Sequence, residues 1–209
     1  MAELVSYALT SVADVKETLG ISSGDSSKNN LITRKINQAT DLIEAYCNLS
    51  YSHHFKQATY TDEEYDGTGV DQLSLKMRPV TSITSFSYRN TTENENSWDV
   101  IETTDYFLDQ GAGVVDLLFS QGRHWNYYKL TYVGGYSTIP SALSEACATI
   151  AAYLTDNATS GAGVKIKQEG QRKIEYFAID SSSGDSLIEQ LNLDGALSRY
   201  KNYAIQSDK

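Results

Sequence analysis

Two stretches decide the fold of this chain of 209 residues: Tyr65-Asp66-Gly67-Thr68-Gly69, followed by Leu73-Ser74-Leu75 and Arg78-Pro79-Val80, and Leu130-Thr131-Tyr132-Val133-Gly134-Gly135-Tyr136, followed by Ile139-Pro140. Asp66 and Gly67 are turn residues between extended runs. The ring of Pro79 biases the preceding residue toward extended geometry, and Pro140 suits the first turn of a helix. None of these residues is chemically reactive. The pattern therefore indicates a scaffold rather than a catalyst.

Helical patterns lie outside these two stretches. Ser11 and Asp14 have the spacing of a helix N-cap, and Gly20 ends the short helix that they begin. A longer helix is predicted from about Ser27 to about Tyr46. Its apolar stripe consists of Ile32, Ile36, Ala39, Ile43 and Tyr46. We expect this stripe to face a core or a neighbouring subunit.

A third helix is predicted after Pro140. The segment from Ala142 to Leu154 is rich in alanine and apolar nearly all round, which is typical of a helix buried by others. Its packing candidates are Leu143, Ala146, Cys147, Ile150, Ala151 and Leu154. We expect Leu143, Ile150 and Leu154 to pack on the stripe of the long helix, because both segments need an apolar partner.

Between His54 and Val133 the hydrophobic period changes from helical spacing to alternation. Short runs of Tyr, Thr, Val and Phe are separated by Gly, Asn and Asp, which predicts about six or seven strands. One strand face is predicted to carry Val80, Ser82, Thr84, Phe86 and Tyr88. Residues 90–96 are predicted to form a polar hairpin tip, and residues 122–125 a turn.

The C-terminal part combines hinges and short elements. Residues 155–163 are predicted to be a flexible hinge. Val164 to Lys167 and Lys173 to Phe177 flank Glu169-Gly170 like the arms of a hairpin. A Ser-Gly hinge at 181–184 precedes a tail that is predicted to be loosely held in the free monomer.

The expected fold is α+β: a small helical bundle with an inserted antiparallel β domain and a flexible C-terminal arm. Residues 1–53 and 138–160 are assigned to the helical core. Residues 54–137 are assigned to the β domain, and residues 161–209 to the loop or hairpin and the C-terminal arm.

Composition excludes several classes of protein. A net charge of −10 and a pI near 4.7 argue against a tight grip on nucleic acid, although DNA could be passed. Cys47 and Cys147 lie in apolar helical patterns and are expected to be reduced and buried. No N-terminal leader and no membrane-spanning run is recognised, so we expect a protein that is made and used in solution.

The residue types that carry chemistry do not form a recognised site. His53 and His54 are adjacent and would point to opposite faces of a strand, and His124 is distant. The acidic residues Asp62, Glu63, Glu64, Asp66 and Asp71 lack the ligand spacing of a calcium loop and are interpreted as a solvated hairpin. No nucleophile elbow, phosphate loop or dinucleotide fingerprint occurs. We expect no catalytic residue, cofactor or metal, and no enzyme.

The aromatic content leaves one alternative open. Fifteen tyrosines and two tryptophans are compatible with a surface that binds sugars, but also with packing in sheets and at interfaces. Tyr127, Tyr128, Tyr132 and Tyr136 have strand-like spacing. The alternative function is therefore a β-rich adhesion or baseplate module that uses its tyrosines to bind host glycan.

The order of these motifs resembles the head-to-tail connector proteins of tailed bacteriophages, also called adaptor or head-completion proteins. The resemblance covers most of the chain: a helix, a longer helix ending near Tyr46-Cys47, the turn at Tyr65 to Gly69, the run from Leu73 to Pro79-Val80 with Ile83, and Gly134-Gly135-Tyr136 before Ile139-Pro140. The segment from Val164 to Phe177 is similar to the loop that follows the Ala-rich helix in this family.

The resemblance implies a structural virion protein in the head-tail neck, assembled in the host cytoplasm into a ring of about twelve copies. Its partners would be the portal protein, a stopper or tail-completion protein, and genomic DNA that passes without sequence-specific binding. No membrane partner is implied. The C-terminal segment would be the arm into the portal, and its predicted docking residues are Leu187, Ile188, Leu191, Leu197, Tyr200 and Tyr203.

Overall fold

The structure is a computed structural model that describes residues 2–67, 69–89, 97–119, 127–160, 166–169, 172–175 and 184–202. The elements in chain order are α1 (Val12–Thr18), α2 (Asn29–Tyr46), β1 (Ala58–Tyr65), β2 (Gln72–Ser74), β3 (Val80–Arg89), β4 (Trp98–Val100), β5 (Tyr106–Asp109), β6 (Val114–Leu117), β7 (Tyr128–Gly134), α3 (Ser141–Ser160), β8 (Ile166–Glu169), β9 (Arg172–Glu175), α4 (Gly184–Gln190), α5 (Asp194–Leu197) and a 3-10 turn (Ser198–Tyr200). Helices and antiparallel sheets together confirm the predicted α+β class.

The chain forms two compact units. The helical unit comprises residues 1–48 and 139–201, and the β unit comprises residues 49–138 with residues from 202 onward. The residues 184–201, which lie in the predicted C-terminal arm, group with the helical unit. The predicted hinge at 155–163 is wrong for residues 155–160, because α3 continues to Ser160, and its last three residues lie outside the described residues.

Local sequence explains where α1 begins. The Ser11 hydroxyl accepts a hydrogen bond from the Asp14 amide at 3.2 Å, and the Asp14 carboxylate accepts one from the Ser11 amide at 3.1 Å. This reciprocal capping box satisfies two donors that a helix N-terminus leaves free. Gly20 follows the helix at φ +66°, a conformation that favours glycine, so the predicted start and end of α1 are confirmed.

The core of the helical unit lies between α2 and α3, which pack against each other. Ile32, Ile36, Ala39 and Ile43 on α2 are fully buried. On α3, Leu143 and Ile150 are also fully buried, whereas Leu154 is half-buried. The Thr40 hydroxyl and the Cys147 thiol meet in this core at 3.6 Å. Each fully buried isoleucine or leucine side chain stabilises the fold by about 1.5–3 kcal/mol relative to an exposed one.

The C-terminal helices complete that core. α4 packs on α2, and α5 packs on α3. The Cys47 thiol lies 3.9 Å from the Leu197 carbonyl oxygen. The ammonium of Lys201 lies 3.9 Å from the centroid of the Tyr46 ring, a cation–π contact. The expectation of a loosely held tail is therefore wrong for residues 187–201, because their apolar side chains have partners on α2 and α3.

The β unit contains two sheets in the described residues. A four-stranded antiparallel sheet has the order β1-β7-β3-β4, and a three-stranded antiparallel sheet has the order β2-β6-β5. β7 is one of the two inner strands of the four-stranded sheet, and its residues Tyr128, Leu130 and Tyr132 are fully buried. The seven strands agree with the predicted number. The predicted hairpin tip at 90–96 and turn at 122–125 lie outside the described residues.

The face predicted for β3 is only partly right. The pairing of β3 with β7 shifts register between Val80 and Ser82, and again between Ile83 and Ser85. Each shift moves the following side chains to the other face of the strand, because side chains alternate with a period of two. Val80 and Phe86 are consequently buried, whereas Ser82 is exposed and Ile83 is half-buried.

The Gly134-Gly135 pair is explained by close approach of the backbone. Gly135 has φ +96°, and a Cβ at this position would lie 2.8 Å from the Phe55 carbonyl oxygen and 2.9 Å from that of Lys56. The Gly135 amide also donates a hydrogen bond of 2.8 Å to the Pro79 carbonyl. Only glycine combines this conformation with this spacing. The two stretches that decide the fold thus meet directly.

The C-terminal hairpin is confirmed at the level of the backbone. β8 and β9 pair antiparallel, with Ile166 opposite Glu175 and Glu169 opposite Arg172. Among the described residues, this hairpin is a separate two-stranded sheet.

Candidate functional sites

A carboxylate enclosed by hydrogen-bond donors is the most developed polar site in the β unit. The pairing of β1 with β7 is irregular between Tyr60 and Glu63, and Asp62 has φ +52°. This irregularity rotates Glu63 off the alternating pattern and turns its side chain inward. The side chain is only 14 % exposed.

The donors around Glu63 come from four segments of the β unit. Its carboxylate accepts hydrogen bonds from the hydroxyls of Tyr65 at 2.6 Å and Tyr132 at 2.7 Å. Nε2 of His53 lies 2.8 Å from the same carboxylate, and Nζ of Lys76 lies at 3.5 Å. We call these five residues the Glu63 cluster.

Further contacts fix the imidazole of His53. The ring stacks on Tyr60 with a centroid distance of 4.6 Å and an interplanar angle of 13°. Nδ1 contacts the hydroxyl of Ser50, and that of Ser52 at 3.1 Å. His53 is buried, and these contacts hold its ring in one orientation.

The electrostatics of the cluster favour an ionised Glu63. Burial raises the pKa of this carboxyl, but the hydrogen bonds from His53, Tyr65 and Tyr132 outweigh burial and lower it to about 2. Burial and the adjacent Glu63 charge raise the pKa values of the Tyr65 and Tyr132 hydroxyls above the ordinary value of 10. Both phenols therefore remain protonated donors.

The donors of the cluster converge on the Glu63 carboxylate, and the amide of Lys76 also donates to the Tyr65 hydroxyl at 3.2 Å. A satisfied buried network of this kind specifies one arrangement of the strands that contribute to it.

The acidic residues between Asp62 and Asp71 do not all face solvent, whereas the interpretation as a solvated hairpin predicted that they would. Asp62, Glu64 and Asp71 are exposed, but Glu63 is largely buried and Asp66 is half-buried. The sequence did not predict the inward turn of Glu63, because it depends on the irregular register of β1. In the described part of the chain, no group of three or more His, Cys, Asp or Glu side chains is placed to hold a metal ion.

Both cysteines are free and buried in the helical unit. Burial raises the pKa of the Cys47 thiol and of the Cys147 thiol to about 12. Both thiols therefore stay protonated near neutral pH, and the prediction of reduced, buried cysteines is confirmed.

The predicted docking residues occupy different environments. Leu187, Ile188 and Leu197 are buried in the helical unit, with exposures of 3 %, 0 % and 0 %. Leu191 and Tyr200 are half-buried. Tyr203 lies outside the described residues. The three buried residues all belong to the helical unit, and a role of these residues in docking stays a prediction.

The tyrosines of β7 serve packing. Tyr128 and Tyr132 are fully buried, and Tyr132 lies 5.2 Å from Tyr60 between ring centroids. Tyr127 and Tyr136 are half-buried. Because its two central tyrosines are in the core, this row does not form an exposed aromatic platform.

Three exposed apolar side chains escaped the sequence analysis. Val70, Phe107 and Leu118 are 55 %, 65 % and 58 % exposed, and they lie on or next to the three-stranded sheet. The signal was the alternation of β5, in which Phe107 is exposed between half-buried Tyr106 and Leu108. We call the surface formed by Val70, Phe107 and Leu118 the outer sheet face.

The chain is similar to a known protein family and to chains of solved structures. Residues 8–171 match the family model described as head completion protein. The fold is similar to a chain in the neck of an empty gene transfer agent (GTA) particle computed with C6 symmetry, with a TM-score of 0.51, 11 % identity, and coverage of 99 % of this chain and 96 % of that chain. A chain of the virion of a native gene transfer agent particle matches with a TM-score of 0.51, 12 % identity, and the same coverage.

No curated protein sequence matches the chain. No helix in the described ranges has both the length and the apolar character that a membrane crossing needs.

Proposed function

The chain belongs to the head completion protein family, and we propose on that premise that it is a ring-forming structural protein of the virion neck, between the portal and a stopper or tail protein. The observation that carries the proposal is the family match, which runs from residue 8 to residue 171 and so includes residues of both units. The α+β fold shared with chains of gene transfer agent particles over nearly their whole length supports it.

A closed ring suits a chain that acts at a symmetric vertex. In a ring, each copy contacts its two neighbours through two different surfaces. The ring closes when a whole number of equal rotations makes one full turn. The empty particle to which this fold is similar was computed with C6 symmetry at its neck. We place about twelve copies of this chain in its ring.

Passage of the genome is consistent with the charge of the chain. With 27 acidic and 17 basic residues, the protein has a net charge of −10. Tight binding of DNA requires many Lys and Arg contacts to phosphates, and a surface of the opposite balance repels the backbone. The ring would therefore pass DNA without sequence-specific binding.

The arm into the portal is proposed to be the end of the chain. Leu187, Ile188 and Leu197 already stabilise the helical unit, so portal contacts are assigned to Leu191, Tyr200 and the segment from Tyr203 onward. Deletion after Ser183 would remove part of the core and unfold the helical unit. A sharper variant is Leu191→Ser with Tyr200→Ser, with exposed Ala196→Ser as the matched control.

The function is tested by mixing the full chain with its portal and examining the mixture by electron microscopy. Rings of this chain on portal support the proposal. A chain that remains free of portal and binds sugar as a monomer or trimer would instead support the adhesion module. The Leu191→Ser/Tyr200→Ser variant should remain folded and bind portal more weakly than the Ala196→Ser control. Equal affinity of the two variants for portal would show that Leu191 and Tyr200 do not contribute to portal binding.

A further inference from the structure

The outer sheet face gathers its apolar side chains into one patch. Gln72 pairs with Asp116, and Asp116 pairs with Phe107, so these three side chains form one row across the sheet. The Leu117 amide donates to the Asp71 carbonyl at 2.8 Å, and the Leu118 amide donates to the Asp105 carbonyl at 2.9 Å. Continuing these registers places Val70 beside Leu118, with Phe107 diagonal to Leu118.

The patch lies on the exposed face of the three-stranded sheet, opposite its buried face. The opposite face of the same strands carries Leu73, Val115 and Leu117, which are all buried. Because side chains alternate along a strand, Val70, Phe107 and Leu118 share the other face. Clustered exposed apolar side chains of this kind mark interaction surfaces, whereas single ones are common on any protein.

The surroundings of the patch are acidic. Asp71, Asp105 and Asp109 are exposed, and Asp116 is half-buried in the row that contains Phe107. The sequence has no Lys or Arg in residues 69–75 or 97–119, which contain all three strands. Two such faces would repel each other, so a face-to-face dimer is disfavoured and a basic, partly apolar partner is favoured.

The β8–β9 hairpin has the complementary composition. Its strands contain Lys167, Arg172 and Lys173 against Glu169 and Glu175, three basic residues against two acidic ones in a chain of net charge −10. The register places Ile174 on the same face as Lys167 and Arg172, and Ile166 on the other face. An isolated two-stranded hairpin is only marginally stable in water, so this element would gain stability by packing on another surface.

We propose that the outer sheet face binds the β8–β9 hairpin of the neighbouring copy in the ring. The proposal rests on the ring proposed above and assigns one of its subunit contacts. The two surfaces differ, so the contact is heterologous and repeats around a closed ring. In this contact the hairpin face of Ile174 meets the centre of the outer sheet face, and Lys167 and Arg172 of that face meet the aspartates at its rim.

Cross-linking between copies tests the juxtaposition. Phe107→Cys and Ile174→Cys are made in separate chains, mixed, assembled on portal and treated with a short bismaleimide. Since Cys47 and Cys147 are buried, they need not be replaced. Cross-linked dimers of the two variants are expected. Val100→Cys mixed with Ile174→Cys is the control, because Val100 is 69 % exposed on β4 of the other sheet.

Substitutions test the contribution of the patch to assembly. Phe107→Ser with Leu118→Ser should leave the melting temperature of the free protein unchanged and weaken ring assembly at least about tenfold, because apolar burial at the contact is lost. Val100→Ser should assemble like the wild type. Asp105→Lys and Lys167→Glu, the latter opposite Ile174 in the hairpin register, should each weaken assembly, and the chain that carries both should regain it.

Several results would overturn the proposal. They are a Phe107→Ser/Leu118→Ser protein that assembles normally, a large drop in its melting temperature as free protein, absence of cross-links in assembled rings, or no rescue by the double charge reversal. In each of these the wild-type ring still forms, so the neck function stands. If wild-type protein forms no ring on portal, the neck function and this contact fail together.

Discussion

The helical unit and the β unit bury different kinds of side chain. Between α2 and α3 the core is largely aliphatic and includes Ile32, Ile36 and Ile43, with Thr40 and Glu44 of α2 buried beside them. In the β unit, the core includes the Glu63 cluster, in which an ionised carboxylate binds two phenols and an imidazole. Apolar packing tolerates small shifts, whereas a hydrogen-bonded charge requires one geometry. The β unit is therefore the more precisely specified of the two.

The largest effect is expected from a charge in the aliphatic core. Ile43→Asp places a carboxylate at a fully buried position without a partner, which costs more than about 4 kcal/mol and should unfold the helical unit. Circular dichroism during thermal unfolding measures the effect. Ala45→Asp is the matched control, because Ala45 is exposed on the same helix. An unchanged melting temperature for Ile43→Asp would show that the stripe is not core.

Removing the central acceptor should have the next largest effect. Glu63→Ala leaves the hydroxyls of Tyr65 and Tyr132 and the imidazole of His53 without their carboxylate, at a cost of about 3 kcal/mol. Urea denaturation measures this loss. The neighbouring Glu64→Ala is the control, because Glu64 is exposed. Equal stability of the two variants would mean that the cluster contributes nothing beyond its packing.

A smaller effect is expected from the glycine that joins the two decisive stretches. Gly135→Ala adds a Cβ within 2.8 Å of the Phe55 carbonyl oxygen at φ +96°, which should cost about 2 kcal/mol. Gly24→Ala is the control, because nothing lies within 4 Å of a Cβ at that position. Thermal unfolding of both variants distinguishes backbone crowding from a general effect of alanine. If both retain wild-type stability, the close approach at Gly135 relaxes without cost.

The stability of the β unit should depend on pH in the acidic range, because it contains the ionised carboxylate of Glu63. The pKa of Glu63 is about 2 in the folded protein, against an ordinary value of 4.5. The unfolded chain therefore binds the proton first, and the contribution of this carboxylate is complete above pH 4.5 and is lost as the pH falls toward 2. Glu63→Gln should show a flatter stability profile than the wild type over this range. Parallel profiles for the two proteins would contradict a depressed pKa.

The same contrast explains how far the sequence predicted the molecule. The helical period and the capping residues Ser11 and Asp14 predicted α1, α2 and the apolar character of α3, because those signals are local. The register shifts in β1 and β3 were not predicted, since they depend on pairing with a strand far along the chain. The inward position of Glu63 follows from the pairing of β1 with β7.

The C-terminal residues illustrate a second limit. The spacing of Leu187, Ile188 and Leu197 identified apolar residues that need a partner, but spacing alone does not tell which surface supplies it. In the structure that partner is the helical unit of the same chain. A short amphipathic segment after a hinge is thus compatible both with docking to another protein and with completing its own fold.

Electron microscopy of complete particles tests most directly whether this chain forms a ring in the virion neck. Particles assembled with the wild-type chain should be imaged at the portal vertex without imposed symmetry. We expect a closed ring of about twelve copies of this chain, bound between the portal and the next tail component. Particles whose neck contains no density for this α+β fold, while the chain is found elsewhere in the virion or remains free, would contradict it.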